Sequence, residues 1–134
     1  MKMKSLNVLK LLLLFFTLVS ASSLSYGQYK GPGVTDKTYT VKEVLDNASR
    51  LDRSDALVKV QGFIVNQINA DTYEFKDKTG AIKVEIDRKR LPNKPFDDKT
   101  ELILIGEVDN DIFEPVEIEV KEVLFVDPDN KTVK

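Results

Sequence analysis

Between Val58 and Asp109 the chain runs through four strand-like stretches in close succession, two of them interrupted mid-strand by a glycine, Gly62 and Gly106. A glycine inside a strand is costly, so it marks a bulge, a sharp bend or a close backbone approach. Short strands of this kind curl into a small closed sheet more readily than they lie flat. That one pattern restricts the fold more than any other feature of the sequence.

The alternation sets the details. In Leu57–Asn66, Val58, Val60 and Ile64 fall on one side, with Gly62 where a side chain is expected. Thr72–Lys76 puts Tyr73 and Phe75 on one face. Ala81–Asp87 places Ile82, Val84 and Ile86 inward and Lys83, Glu85 and Asp87 outward. The link Asp77-Lys78-Thr79-Gly80 suits a type I turn closed by a left-handed glycine. Arg88–Thr100, with two prolines and many charges, reads as a loop with room for one helical turn. Glu101–Val108 carries Leu102, Leu104, Gly106 and Val108 inward, and Ile103 and Ile105 suggest cover on the other side. In Val116–Val126 the alternation of Val116, Ile118 and Val120 shifts phase at Val123 and Phe125, which predicts a bulge near Lys121-Glu122.

Before the first strand, Thr40-Val41-Lys42-Glu43 fits a capping box. Val41, Val44, Leu45, Ala48 and Leu51 follow at helical spacing, so one helix is expected over about Val41–Arg50, ended by the polar Asp52–Asp55. The expected fold class is all-β with one N-terminal helix: a five-stranded OB-fold barrel plugged by the helix, with a five-stranded sandwich as the alternative. The domain would cover 39–127, after a flexible lead-in at 28–38 and before a polar tail at 128–134.

The first 27 residues read differently. Lys2, Lys4 and Lys10 precede the apolar run Leu11–Val19, and small residues follow. This is the pattern of a signal peptide, residues 1–27, cleaved after Gly27 or alternatively after Ala21. The run is shorter than the roughly 20 residues that span a bilayer, which weighs against an uncleaved anchor. The expected product is exported. Three of the 20 basic side chains fall in this segment, leaving 17 against 22 acids, a net charge of −5.

Chemistry is limited by composition. The chain has no histidine and no cysteine, so a Ser-His or Cys-His nucleophile is excluded. Carboxylate pairs such as Glu85 with Asp87 read as solvated strand faces. Asp109-Asn110-Asp111 with Glu114 offers oxygen ligands for Ca²⁺, yet Asp and Asn are also turn builders, and no metal site or other cofactor is assigned. A nucleic-acid groove needs basic and aromatic residues together. The outward set Lys59, Gln61, Phe63, Glu74, Lys76, Lys83 and Glu85 is mixed in charge, so no nucleic-acid partner is expected. The clearest charge feature is acidic: Glu101, Glu107, Asp109, Asp111, Glu114, Glu117, Glu119 and Glu122 crowd the last two strands and their turn. Such a face either keeps an edge from pairing or attracts a basic protein. Glu107, Asp109, Asp111, Glu114, Glu117 and Glu119 are the candidate binding residues. Asp77, Thr79, Gly80, Gly62 and Gly106 are expected to serve the fold.

One family resemblance spans nearly the whole mature stretch. The carrying motifs are Gly31-Pro32-Gly33, Thr40-Val41, Val58-x-Val60-x-Gly62, the run from Tyr73 through Thr79-Gly80 to Ile86-Asp87, and Ile105-Gly106-Glu107-Val108-Asp109. In these the chain resembles the bacterial OB-fold (BOF) family, the YgiW/YdeI stress-tolerance proteins. It departs in the loop after Asp87, where Arg88-Lys89-Arg90-Leu91-Pro92 stands in place of an early bulky aromatic and Phe96 comes late. The resemblance implies a small periplasmic OB-fold protein without enzymatic activity, tied to tolerance of oxidants, metals and cationic antimicrobial peptides. It further implies binding of peptidoglycan fragments or of a basic protein such as lysozyme, the alternative being a structural or accessory envelope domain.

Overall fold

The computed structural model describes residues 37–126 and Pro128. The expected signal peptide and most of the lead-in and tail lie outside the described residues. Elements run in the order β1 (Thr38–Tyr39), α1 (Val41–Asp46), α2 (Ala48–Ser54), β2 (Leu57–Gln67), β3 (Thr72–Lys76), β4 (Ala81–Glu85), a 3-10 turn (Arg88–Arg90), β5 (Leu102–Asp109) and β6 (Glu117–Phe125). The five longer strands close on themselves. β2 pairs with β3, β3 with β4, β4 with β6, β6 with β5, and β5 returns to β2. All of these are antiparallel except β4–β6. The expected OB fold is therefore present, with two corrections: a sixth strand and a divided helix.

The sixth strand is β1, which lies parallel to β2 with Thr38 opposite Lys59 and Tyr39 opposite Val60. Two residues carry too little alternation to be seen in a sequence. The helix divides because Asn47 leaves helical geometry (φ −114°) while its side-chain amide donates to the Glu43 carbonyl at 2.8 Å. A short polar side chain that bonds nearby backbone competes with the helix in this way. The second half then continues to Ser54 and stops at Asp55, which adopts left-handed geometry (φ 50°). It outlasts its polar sequence because Leu51 is fully buried against the sheet. Val41, Val44, Ala48 and Leu51 plug the barrel as expected, whereas Leu45 points outward at 40% exposure.

The inward sets are those of the alternation: Val58, Val60 and Ile64; Tyr73 and Phe75; Ile82, Val84 and Ile86; Leu102, Leu104 and Val108; Ile118 and Val120 are all buried. Ile103 and Ile105 are half-buried on the outer side, less covered than expected. The β6 bulge sits where the phase shift put it. Ile105 faces Glu122 and Gly106 faces Val120, leaving Lys121 as the extra residue. The Lys121 carbonyl then accepts from the Arg90 guanidinium at 2.6 Å.

The glycines differ from one another. β2 bulges at Val65, between Ile64 and Asn66, and not at Gly62. Gly62 is the residue at which β2 exchanges partners, pairing with Leu102 of β5 while its neighbour Phe63 pairs with Lys76 of β3. A Cβ there would collide with the Lys76 backbone. Gly80 does not adopt the expected left-handed geometry, and a Cβ would meet only Val41 at an ordinary 3.6 Å. The turn is shaped instead by Asp77, whose Oδ1 accepts from the Thr79 hydroxyl (2.6 Å) and from the N–H groups of Thr79 (2.7 Å) and Gly80 (3.1 Å).

Asp77 also ties the hairpin to the helix. Its Oδ2 accepts from the Val41 N–H at 2.8 Å, and the Thr79 hydroxyl accepts from the Lys42 N–H at 3.0 Å. The expected capping box is complete: Thr40 Oγ1 takes the Glu43 N–H at 3.1 Å, and Glu43 Oε2 takes the Thr40 N–H at 2.8 Å. Partial burial pushes the Asp77 carboxyl up, but the bonds from Thr79, Val41 and Gly80 outweigh it and hold it below its ordinary range. Asp77→Ala should cost about 1–2 kcal/mol at neutral pH in a urea titration, the scale of a lost helix cap with turn bonds. Because the folded-state pKa is depressed, this stability is complete above the ordinary carboxylate pKa. It is lost as pH falls through the lowered value, so the gap between wild type and variant should close in strong acid.

Candidate functional site

The barrel brings the predicted acidic residues together in rows that only its closure creates. Glu107 on β5 faces Glu119 on β6, which faces Glu85 on β4 across the parallel pairing. In the next row Asp109 faces Glu117, which faces Lys83. These side chains point outward, opposite the buried Val84, Val108, Ile118 and Val120. Partial burial raises the Glu117 pKa, and the Glu85, Asp109 and Glu114 carboxylates add to the rise, with Lys83 opposing. Lys121 pairs with Glu119 at 2.7 Å. Like charges directly opposite each other on a sheet are destabilising, so this face is held together by the fold beneath it.

Two of the six candidates stand apart. Asp111 and Glu114 lie in the β5–β6 turn, where Asp111 Oδ1 accepts the Phe113 N–H at 3.1 Å and shapes the turn. Asn110 donates to the Ser49 hydroxyl at 2.9 Å, fixing the turn to α2. Of the residues weighed as calcium ligands, Asp111 shapes the turn and Asn110 ties it to α2. Among the described residues no group of three or more acidic side chains converges on a point where a metal ion would sit. Glu85 belongs to the acidic face but was missed, because nothing local in the sequence tells that β4 will lie beside β6.

A second feature was also missed. Where β2 exchanges partners, an open groove of about 730 Å³ forms between β2, the β3–β4 hairpin and the segment entering β5. Its floor is mainly apolar, with Phe63 and Val65 beside Gly62, and the Gln61 amide at its edge. Lys76, Lys78 and Lys99 stand on the rim, exposed, together with Asp98. The other rim acids are engaged: Asp77 by the hairpin and α1, and Glu101 by the Gln61 amide at 2.8 Å. Sequence reading assigned Gln61, Phe63 and Lys76 to one outward face, but Lys99 reaches it only through the long loop. An apolar concavity with a few polar groups at its edge is the usual form of a small-ligand site.

The third feature is the turn tip. Ile112 and Phe113 are each 91% exposed, adjacent, and flanked by Asp111 and Glu114. The available signal was an apolar pair in a polar turn with no strand alternation to justify it.

Comparison with known proteins decides the family. The sequence model described as "Bacterial OB fold (BOF) protein" matches residues 19–124. The chain belongs to the bacterial OB-fold family. A protein named calcium-regulated OB-fold protein CarO, from Pseudomonas aeruginosa, is 40% identical over 125 residues, covering 92% of this chain and 99% of that one. Protein YgiW of Escherichia coli is 42% identical over 76 residues, 57% of this chain and 58% of its own length. The solved structure of the hypothetical protein ygiW from E. coli matches with a TM-score of 0.58 at 39% identity, covering 67% of this chain and 90% of that one. A Stn1–Ten1 complex structure from S. pombe matches with a TM-score of 0.53 at 13% identity, covering 71% of this chain and 82% of that one, a likeness of fold alone.

Proposed function

We propose that this BOF protein is an exported, non-enzymatic binding module of the periplasm that takes soluble peptidoglycan fragments in the groove beside Phe63. Its role would be tolerance of envelope stress, the setting the family resemblance implies: oxidants, metals and cationic antimicrobial peptides. The observation that carries the reading is the groove itself, an apolar floor with Phe63, the Gln61 amide at its edge donating to Glu101, and Lys76, Lys78 and Lys99 on the rim with no ion pair among the described residues. A cell-wall fragment is an amphipathic sugar bearing acetamido groups and carboxylates. Its ring faces suit the apolar floor, its amides the Gln61 edge, and its carboxylates the lysines. The leader-like first 27 residues support export.

A second reading rests on the acidic face, where Glu85, Glu107, Asp109, Glu117 and Glu119 outnumber Lys83 and Lys121 and leave a net negative surface. A basic protein such as lysozyme would meet it by electrostatic steering, in a contact that weakens strongly with salt.

Amide chemical-shift titrations separate the two. With soluble muropeptides, saturable shifts are expected at Gln61, Phe63, Lys76–Thr79 and Lys99, and Phe63→Ala should weaken binding roughly tenfold, the usual loss for an aromatic contact residue. A basic protein should instead move Glu107, Asp109, Glu117 and Glu119, with shifts that fade in high salt and after Asp109→Asn with Glu114→Gln. Absence of saturable shifts from muropeptides at low salt sinks the groove reading.

A further inference from the structure

Beyond Gly62, β2 has a neighbouring strand on one side only. Its first half pairs with β5 as far as Gly62 opposite Leu102. Residues 63–67 pair with β3, apart from the bulged Val65, and among the described residues no strand lies along their other edge. That edge faces the loop that leads into β5. A second hollow of about 450 Å³ lies along it, lined by Val65, Asn66 and Gln67 from the strand and by Phe96, Asp97 and Asp98 from the loop. Val65 and Asp98 also line the groove beside Phe63, so the two hollows make one continuous trough beside the open strand edge. From Phe63 to Gln67 the trough runs for about 13 Å, at about 3.3 Å per residue.

Resting on the muropeptide reading above, we infer that the peptide stem of the fragment lies extended along the open edge of β2, with the sugar over Phe63 and the ammonium of the stem's diamino acid against Asp98. An unpaired strand edge presents a row of backbone N–H and C=O groups, and an extended peptide is the ligand whose own amides answer them. Charge is uneven along the trough. The half beside Phe63 has three lysines and three carboxylates on its walls, so it selects neither sign. The far half has Asp97 and Asp98 and no basic residue, which suits an ammonium group.

Length agrees with charge. The diamino acid is the third residue of the stem, so in an extended stem it stands about 10 Å from the sugar, within the run of the trough. The bulge at Val65 favours the stem over an ordinary protein strand. It interrupts the regular ladder in the middle of the open edge, and bulges of this kind blunt an edge against pairing with another strand. The stem, with its γ-linked glutamate, does not keep a two-residue period and has no regular ladder to lose.

The test uses the protein purified as its expression host exports it, with a disaccharide-tetrapeptide muropeptide, the same disaccharide without its peptide, and the muropeptide with its diamino-acid amine acetylated. Removing the peptide should weaken binding about tenfold, the scale of one or two backbone hydrogen bonds. The intact muropeptide should slow hydrogen exchange of amides within residues 63–67, and the bare disaccharide should not. Asp98→Asn, at an exposed position, should melt as wild type and weaken muropeptide binding about two- to fivefold, the scale of an exposed ion pair. It should cost nothing with the acetylated muropeptide. Asp97 is left intact, because it accepts from the Lys99 N–H at 2.9 Å and the Thr100 hydroxyl at 3.0 Å and so shapes the loop. A disaccharide that binds as tightly as the muropeptide, with no protection along β2, overturns this inference and leaves the groove reading standing. An equal loss in Asp98→Asn with free and acetylated amine overturns it as well. No binding of the muropeptide at all overturns both.

Discussion

Gly106→Ala will destabilise the protein by about 3 kcal/mol, a loss at the upper end of overpacking effects. In an ordinary strand position the same change is favourable by roughly 0.5–1 kcal/mol, because glycine has the greater entropy to lose. The sign reverses here because a Cβ on Gly106 would run into the carbonyl oxygen and carbon of Glu119 and the Cγ2 of Ile118. Two of those three atoms are backbone and belong to β6 immediately before the Lys121 bulge, so no side-chain rotation relieves the contact. Gly62→Ala should behave similarly, against the Lys76 carbonyl. Gly80→Ala should leave stability within about 0.5 kcal/mol, since its space is open and its φ ordinary. Urea titrations of the three variants check the ordering, and an unperturbed Gly106→Ala would mean that β5 and β6 do not approach as described.

Phe75→Ala should cost more, about 3–5 kcal/mol, by lost transfer energy and the cavity left behind. Phe75 is fully buried near the end of β3, opposite Ile64 of β2 and Ile82 of β4. Its ring end lies 3.0 Å from where a Gly62 Cβ would be, so the aromatic fills the space the glycine vacates. Helix and hairpin cannot shift to close the hole, because Asp77 binds them to each other at the hairpin that follows β3. Against a total stability of about 5–15 kcal/mol for a domain of this kind, the loss is a large fraction. Phe113→Ala is the matched control: the same deletion at 91% exposure should change the urea midpoint hardly at all. Equal losses at the two positions would contradict the assigned core.

Gly62 and Phe75 also bear on function. Gly62 lines the groove and the Phe75 ring packs beneath it, so a binding defect in either variant reports the fold as much as the ligand. Variants on the rim, such as those of Lys78 and Lys99, are exposed and avoid this ambiguity.

What the sequence determined alone was everything with a short period. Alternation named the inward residues of β2 to β5, and the phase break between Val120 and Val123 located the Lys121 bulge, because a two-residue period registers a single inserted residue as a flip of face. The capping box at Thr40 and Glu43 was readable because both partners lie within one turn. What only the tertiary structure decided was whatever joins distant segments. The parallel β4–β6 pairing adds Glu85 to the acidic rows, and the passage of β2 from β5 to β3 opens the groove. The loop before β5 brings Lys99 to the same rim as Lys76. Asp77 becomes the cap of a helix 36 residues earlier. None of these leaves a local pattern, because each is set by closure of the sheet: the last pairings fall wherever five twisted strands of these lengths meet, and no single strand carries that information.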